Sequence, residues 1–271
     1  MSAAVRIAAV QMTSGPEVPG NLRQAGELLG RAAAEGARLA ALPENFALMG
    51  RRDTDKLAVR EPPGSGPIQA FLAETAARLK LWIVAGSVPL VADDPGKVRN
   101  SLLVYDDAGT LRARYDKIHL FGFRRGEERY DESATIEPGR EPVAVDTPCG
   151  RAGLSICYDV RFPELYRALG RLDVIFIPAA FTATTGRAHW ETLVRARAIE
   201  NLAYAVAPAQ GGEHAGGRRT HGHTLIVDPW GAVLAEIDDA PGVAVADIDP
   251  ARTAEVRANL PALEHRTLGG G

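Results

Sequence analysis

The 271-residue chain has only two cysteines, Cys149 and Cys157, eight positions apart across an expected strand. So few, so placed, exclude a disulfide framework and fit a reducing, cytoplasmic setting. Charge of one sign is also missing in any block: 31 basic residues stand against 34 acidic ones, a net charge of −3. That gives nucleic acid and anionic membrane surfaces nothing to hold. No apolar stretch reaches membrane-spanning length, and no secretory signal is visible, because Met1-Ser2-Ala3-Ala4-Val5-Arg6 runs straight into a strand pattern. No linker rich in Pro, Gly or Ser divides the chain. One domain is therefore expected over residues 1–265, followed by a mobile tail, 266–271, ending Gly269-Gly270-Gly271. No glycine-rich phosphate loop joins a strand to a helix, so no organic cofactor is implied.

What is present is an ordinary globular composition, 46% hydrophobic and 24% charged, in a chain long enough to bury a sizeable core. Strand and helix patterns alternate. Residues 5–11 read as a strand, 21–37 as a helix, 39–42 as a short strand, 67–81 as a helix and 82–88 as a strand. Residues 100–115 read as a hairpin and 122–138 as a long polar loop. The second half repeats the alternation: strand 152–156, helix 163–169, strand 173–177, helix 189–201 and strand 202–207. A hairpin of 220–228 with 232–236, a strand at 242–248 and a helix at 250–259 follow. This is an α/β protein, and its two similar halves suggest two sheets packed face to face with helices outside.

Three short segments carry chemistry. The run Ala152-Gly153-Leu154-Ser155-Ile156 ends in Cys157, with a helix start close behind at Pro163-Glu164-Leu165. A cysteine on a strand-to-helix turn points its sulfur out of the sheet edge toward backbone N–H groups, where a thiolate nucleophile is useful. A buried inert thiol is the plain alternative. Leu39-Ala40-Ala41-Leu42-Pro43 ends in Glu44, either a base or a solvated loop acid. Tyr115-Asp116-Lys117-Ile118-His119 sets Lys117 in an apolar stretch, either an oxyanion-holding cation or a snorkelling side chain. Together they supply a nucleophile, a base and a cation, the parts of amide hydrolysis.

On these residues the chain resembles the carbon–nitrogen hydrolase (nitrilase) superfamily, whose catalytic set is glutamate, lysine and cysteine in that order. The likeness runs from Val5 to about His265. Ala188-His189-Trp190-Glu191, Arg195-Ala196-Arg197-Ala198-Ile199-Glu200 and Gly222-His223 with Val227-Asp228-Pro229-Trp230-Gly231 resemble the Nit branch, which hydrolyses deaminated glutathione. The resemblance implies a four-layer αββα sandwich in one domain. It also implies a cysteine amidohydrolase acting on a small, carboxylate-bearing linear amide through a thioester on Cys157. Glu44 would be the base, and Lys117 with the backbone N–H of Tyr158 would hold the oxyanion. The family's second glutamate matches Glu132 best. Glu127 and Glu128 are alternatives, because Gly122 stands where the usual acid would be.

Arg161 is a candidate partner for a substrate carboxylate, or else a structural ion pair. Phe181 and Thr182 are candidates for contact with the acyl part, or else a packed turn. Ser155 resembles a serine-hydrolase elbow but lacks the closing glycine. His214, His221 and His223 lack an acid at matching spacing and are read as structural, so no metal is expected. The family commonly dimerises through helices of the 189–201 region, which predicts a homodimer or higher homo-oligomer. An ω-amidase acting on 2-oxoglutaramate or 2-oxosuccinamate, an N-carbamoyl amino acid hydrolase, and a binding module on the same fold remain as alternatives.

Overall fold

The computed structural model describes residues 3–126 and 128–268. In chain order the first half contains β1 (Val5–Gln11), α1 (Val18–Ala34), β2 (Leu39–Ala41), α2 (Pro67–Leu79), β3 (Trp82–Val91), β4 (Val98–Tyr105) and β5 (Leu111–Asp116). A small hairpin, β6 (Gly122–Arg125) and β7 (Glu128–Asp131), follows. The second half contains β8 (Ala144–Thr147), β9 (Gly150–Leu154), α3 (Pro163–Ala168), β10 (Val174–Phe176), α4 (Ala183–Asn201) and β11 (Tyr204–Ala207). It closes with β12 (Gly211–Glu213), β13 (Arg219–His221), β14 (Thr224–Val227), β15 (Val233–Ile237), β16 (Gly242–Ile248) and α5 (Pro250–Asn259).

Two six-stranded sheets carry the fold, in the orders β16-β1-β2-β3-β4-β5 and β15-β14-β11-β10-β9-β8. Each has three central parallel strands, β1-β2-β3 in one and β9-β10-β11 in the other, flanked by antiparallel neighbours. Strand side chains alternate between faces, and β1 shows the consequence. Ile7 and Ala9 enter the core between the sheets, while Ala8 and Val10 enter the core under α1 and α2. Both faces are covered, so the central strands read as continuous apolar runs. Tyr166 of α3 and Trp190 of α4 join the core of the second sheet. The result is the expected αββα sandwich.

Local chemistry sets several boundaries differently from the sequence pattern. Helix α1 starts at Val18 rather than 21, because Pro19 fits the first turn, where a missing N–H costs nothing. Helix α4 starts at Ala183 rather than 189: the Thr182 hydroxyl accepts from the Thr185 N–H, 3.2 Å away, and caps it. Gly186 lies inside that helix because a Cβ there would run into the His221 side chain of β13. The polar stretch 122–138 is not one long loop. It folds as the β6–β7 hairpin and a short 3₁₀ turn, Glu132–Ala134. Residues 219–221 pair with β12 instead of extending β14. No helix among the described residues is long and apolar enough to cross a membrane. The Gly269–Gly271 part of the expected tail lies outside the described residues.

Candidate active site

The parallel strands β2 and β9 end on the same side of the sandwich, and the chain just beyond each carries the chemistry. After β2, the Leu42 N–H donates to the Val84 carbonyl at 2.9 Å, and Pro43 leads to Glu44. Opposite, the β3–β4 register shifts between Ala85 and Val88. Gly86 sits in that irregularity against the Leu42 and Pro43 backbone, where any Cβ would collide. Ser87 in turn accepts from the Asn45 N–H at 2.8 Å, holding Asn45 in left-handed backbone, φ 58°. A bulge and a glycine therefore make room for Glu44, whose side chain is only 1% exposed.

Cys157 opens a 3₁₀ turn just past β9, with φ 51°. This left-handed conformation is strained for any residue with a Cβ and interrupts the strand alternation there. What holds it is local. The Cys157 N–H donates to the Pro178 carbonyl at 2.8 Å. Asp159, wholly buried, accepts from the Ile156 N–H at 2.8 Å, the His119 N–H at 3.0 Å and the Tyr115 hydroxyl at 2.7 Å. The His119 ring, stacked on Phe162 at 3.7 Å, adds an Nδ1 contact to Asp159 of 2.8 Å. The turn bearing Cys157 is thus tied to the segment that follows Lys117.

Lys117 has no solvent exposure, and its Nζ lies 2.8 Å from both Glu44 and Glu132. Glu44 Oε1 also accepts from Asn100 at 3.0 Å, and Oε2 from the Ala180 N–H at 3.0 Å. Glu132 accepts from the Phe121 N–H at 2.7 Å. Cys157 and Glu132 line one cavity beside this cluster. Burial opposes the Lys117 charge, but Glu132 and Glu44 outweigh it and hold the ammonium above its usual pKa. Burial opposes the Glu44 charge as well, yet Lys117 outweighs it and holds the carboxyl below its usual value. Burial pushes the Cys157 thiol well up, and the charge on Glu44 adds to this. At rest the cluster is a carboxylate, an ammonium and a thiol.

The other candidates fall into place unequally. Of the three loop glutamates, Glu132 reaches Lys117. Glu128 instead accepts from the Thr184 hydroxyl at 2.8 Å, and Glu127 lies outside the described residues. Tyr158 and Phe181 line a narrow cavity at Cys157 together with Glu132, Thr182 and Arg218. The Thr182 hydroxyl is already engaged in capping α4. The Arg161 guanidinium packs over Phe181 and Tyr158, 5.3 and 5.7 Å from the ring centres, and meets His189. Ser155 donates to the Phe176 carbonyl and accepts from Tyr166, away from the cluster.

His214 bridges the Ser14 carbonyl and Thr220. Burial, with His223 beside it, pushes His221 down to about 4. His223 does find acids that linear spacing hides: across the β14–β15 hairpin, Glu236 and Asp238 come within 4.8 Å of it, on the surface. Asn100, Ala180, Asp159 and Arg218 were missed as functional residues. Asp159, two positions after Cys157, is the one that a search beside the nucleophile had within reach.

Comparison with known proteins agrees with this architecture. The carbon–nitrogen hydrolase family model matches residues 6–258. A deaminated glutathione amidase of Synechocystis sp. is 47% identical over 267 residues, covering 96% of this chain and 97% of that protein. Among solved structures, the Caenorhabditis elegans NitFhit protein superposes with a TM-score of 0.90 at 37% identity over 98% of this chain, which spans 66% of that longer one. Saccharomyces cerevisiae Nit3, a member of branch 10 of the nitrilase superfamily, gives 0.89 at 29% identity, with 98% of each chain covered. By sequence and by fold, the chain belongs to the carbon–nitrogen hydrolase family.

Proposed function

We propose that this amidase hydrolyses deaminated glutathione through a thioester on Cys157. The observation that supports the chemistry most is a fully buried Lys117, 2.8 Å from Glu44 and from Glu132, beside a cysteine in left-handed backbone. The substrate is proposed from the deaminated glutathione amidases that the chain resembles over nearly its whole length.

In this reading the substrate's amide carbon sits over Cys157. The thiol attacks while its proton passes to Glu44. A thiol with a raised pKa needs that base at the moment of attack, because little thiolate exists beforehand. The C–S bond forms, and negative charge grows on the carbonyl oxygen. Lys117 and the Tyr158 N–H hold it. An ammonium has three donors, so one remains for the oxyanion after Glu44 and Glu132 are served. Collapse breaks the C–N bond, and Glu44 returns its proton to the leaving nitrogen. Water then attacks the thioester with Glu44 again as base, freeing the acid and the thiol. Glu132 is a positioning residue: it keeps Lys117 charged and in place.

The protein is read as cytoplasmic, in keeping with two free cysteines. It is also read as a homodimer. Trp190 and Arg197 of α4 are buried, so they do not form the interface. Among the exposed large apolar residues are Ile199 of α4 and, in and after the β14–β15 turn, Trp230, Val233 and Leu234. We take Ile199 and Trp230, at the end of α4 and in the turn that packs against it, as the candidate association surface.

The test is release of dipeptide from deaminated glutathione and of ammonia from 2-oxoglutaramate and an N-carbamoyl amino acid, with Cys157→Ala as control. Preference for deaminated glutathione, abolished by the substitution, is expected. Preference for either of the other two keeps the mechanism and moves the substrate. No turnover of any of them, with the variant indistinguishable from wild type, overturns the proposal.

A further inference from the structure

The narrow cavity at Cys157 has Arg218 in its wall, and Arg218 also lines a larger cavity of about 490 Å³ that reaches Asn100 and Lys56. Five basic side chains line the larger cavity against two acidic ones, so it favours an anion. Arg218 is held rigidly. Its Nη2 donates to the Ala180 carbonyl at 2.8 Å, and its guanidinium lies 5.2 Å over the Tyr130 ring. Its Nε is buried and has no hydrogen-bond partner. Neither Arg218 nor Lys56 forms an ion pair among the described residues. A buried charged donor left unmatched is costly, and the group that matches a guanidinium fork best is a carboxylate.

We propose that Arg218, backed by Lys56, binds a carboxylate of the amide substrate and sets a preference for anionic over neutral amides. The proposal rests on the amidase reading above. It adds Arg218 to Arg161, the other candidate for a substrate carboxylate, which packs over two aromatic rings of the same cavity and meets His189. The surroundings of Lys56 agree. Burial lowers its pKa, Glu132 and Asp53 oppose this, and Arg218 and Lys117 lower it further. An incoming carboxylate relieves that crowding of positive charge.

The test uses reagents that label Cys157 without turnover: N-iodoacetylglycine and its methyl ester. The thiol gives its proton to Glu44, sulfur bonds the reagent's methylene carbon, and iodide leaves. Peptide mapping separates Cys157 from Cys149. In wild type the acid should react faster than the ester by roughly tenfold, the size of one charge-assisted bond. Arg218→Gln should bring the ratio close to one, Arg218→Lys should keep part of it, and Lys56→Gln should lower it partway without touching the Ala180 contact. An acid-to-ester ratio that is already one in wild type, or that survives Arg218→Gln and Lys56→Gln, overturns the inference. Equal slowing of acid and ester by Arg218→Gln also overturns it, leaving Arg218 a support for Ala180. Failure of the amidase reading would show separately, as no turnover of any amide.

Discussion

At the scale of single residues, the protonation pattern decides the mechanism. Glu44 acts as a base only when ionised, and Lys117 holds its carboxyl below the ordinary 4.5. A group with a depressed pKa keeps its charge until pH falls through that depressed value. Turnover should therefore stay flat from neutral pH down to about pH 5 and fall only below the usual glutamate range. In Lys117→Met the burial of Glu44 loses its main counterweight, so the acid limb of Cys157 alkylation should move up in pH. Turnover should drop by roughly 10²–10³, as when an oxyanion donor is lost. Alkylation and turnover measured across pH on both proteins check this. An unmoved acid limb would mean that Lys117 does not set the charge of Glu44. Glu44→Gln should cost about 10²–10⁴ in turnover, because it removes the proton acceptor and leaves the shape nearly intact.

At the scale of elements, two backbone devices position these groups. Gly86 and the irregularity in β3 make room for the chain before Glu44. Gly86→Ala forces that segment away, and a displacement near 1 Å should lower kcat by about 10²-fold while the melting temperature falls less in proportion. Asp159 ties the Cys157 turn to the Tyr115–His119 segment. Asp159→Ala leaves those buried donors unpaired, so the urea midpoint should fall by an amount equal to about 1–3 kcal/mol for each donor that finds no water. If urea unfolding is unchanged, Asp159 is not the anchor of the turn. Helix α4 shows where sequence reading stops short. Residues 183–188 carry no helical apolar stripe, and only the Thr182 cap and the Gly186 contact with His221 explain their helix. Glu132 was legible only as one of three loop acids. The hairpin that selects it is made by a short polar pairing with no hydrophobic alternation to announce it.

At the scale of the whole molecule, the alternation of strands and helices was plain in the sequence, because strands buried on both faces must be apolar throughout. The convergence of two sheets on one site was not. Glu44 lies 136 positions from Ala180, and nothing in either segment names the other as its partner. The same gap hid Arg218, a basic residue in a glycine-flanked loop whose role appears only when it is packed beside Cys157. The exposed Ile199 and Trp230 carry the prediction for assembly. Sedimentation should give a dimer, and Trp230→Glu should yield monomer at the same concentration with the fold retained. Wild type that sediments as a monomer would remove that surface as an interface.

The central claim is covalent catalysis through Cys157, and interception of its thioester tests it most directly. Hydroxylamine added during hydrolysis of deaminated glutathione competes with water for the acyl group. The account predicts that the cleaved acyl carbon appears increasingly as hydroxamate rather than free acid as hydroxylamine rises, told apart by mass from the oxime that hydroxylamine forms at the 2-oxo group, while dipeptide release does not slow, and that Cys157→Ala releases neither. Continued release of the free acid at that carbon with no hydroxamate at any hydroxylamine concentration, together with an active Cys157→Ala variant, would contradict it.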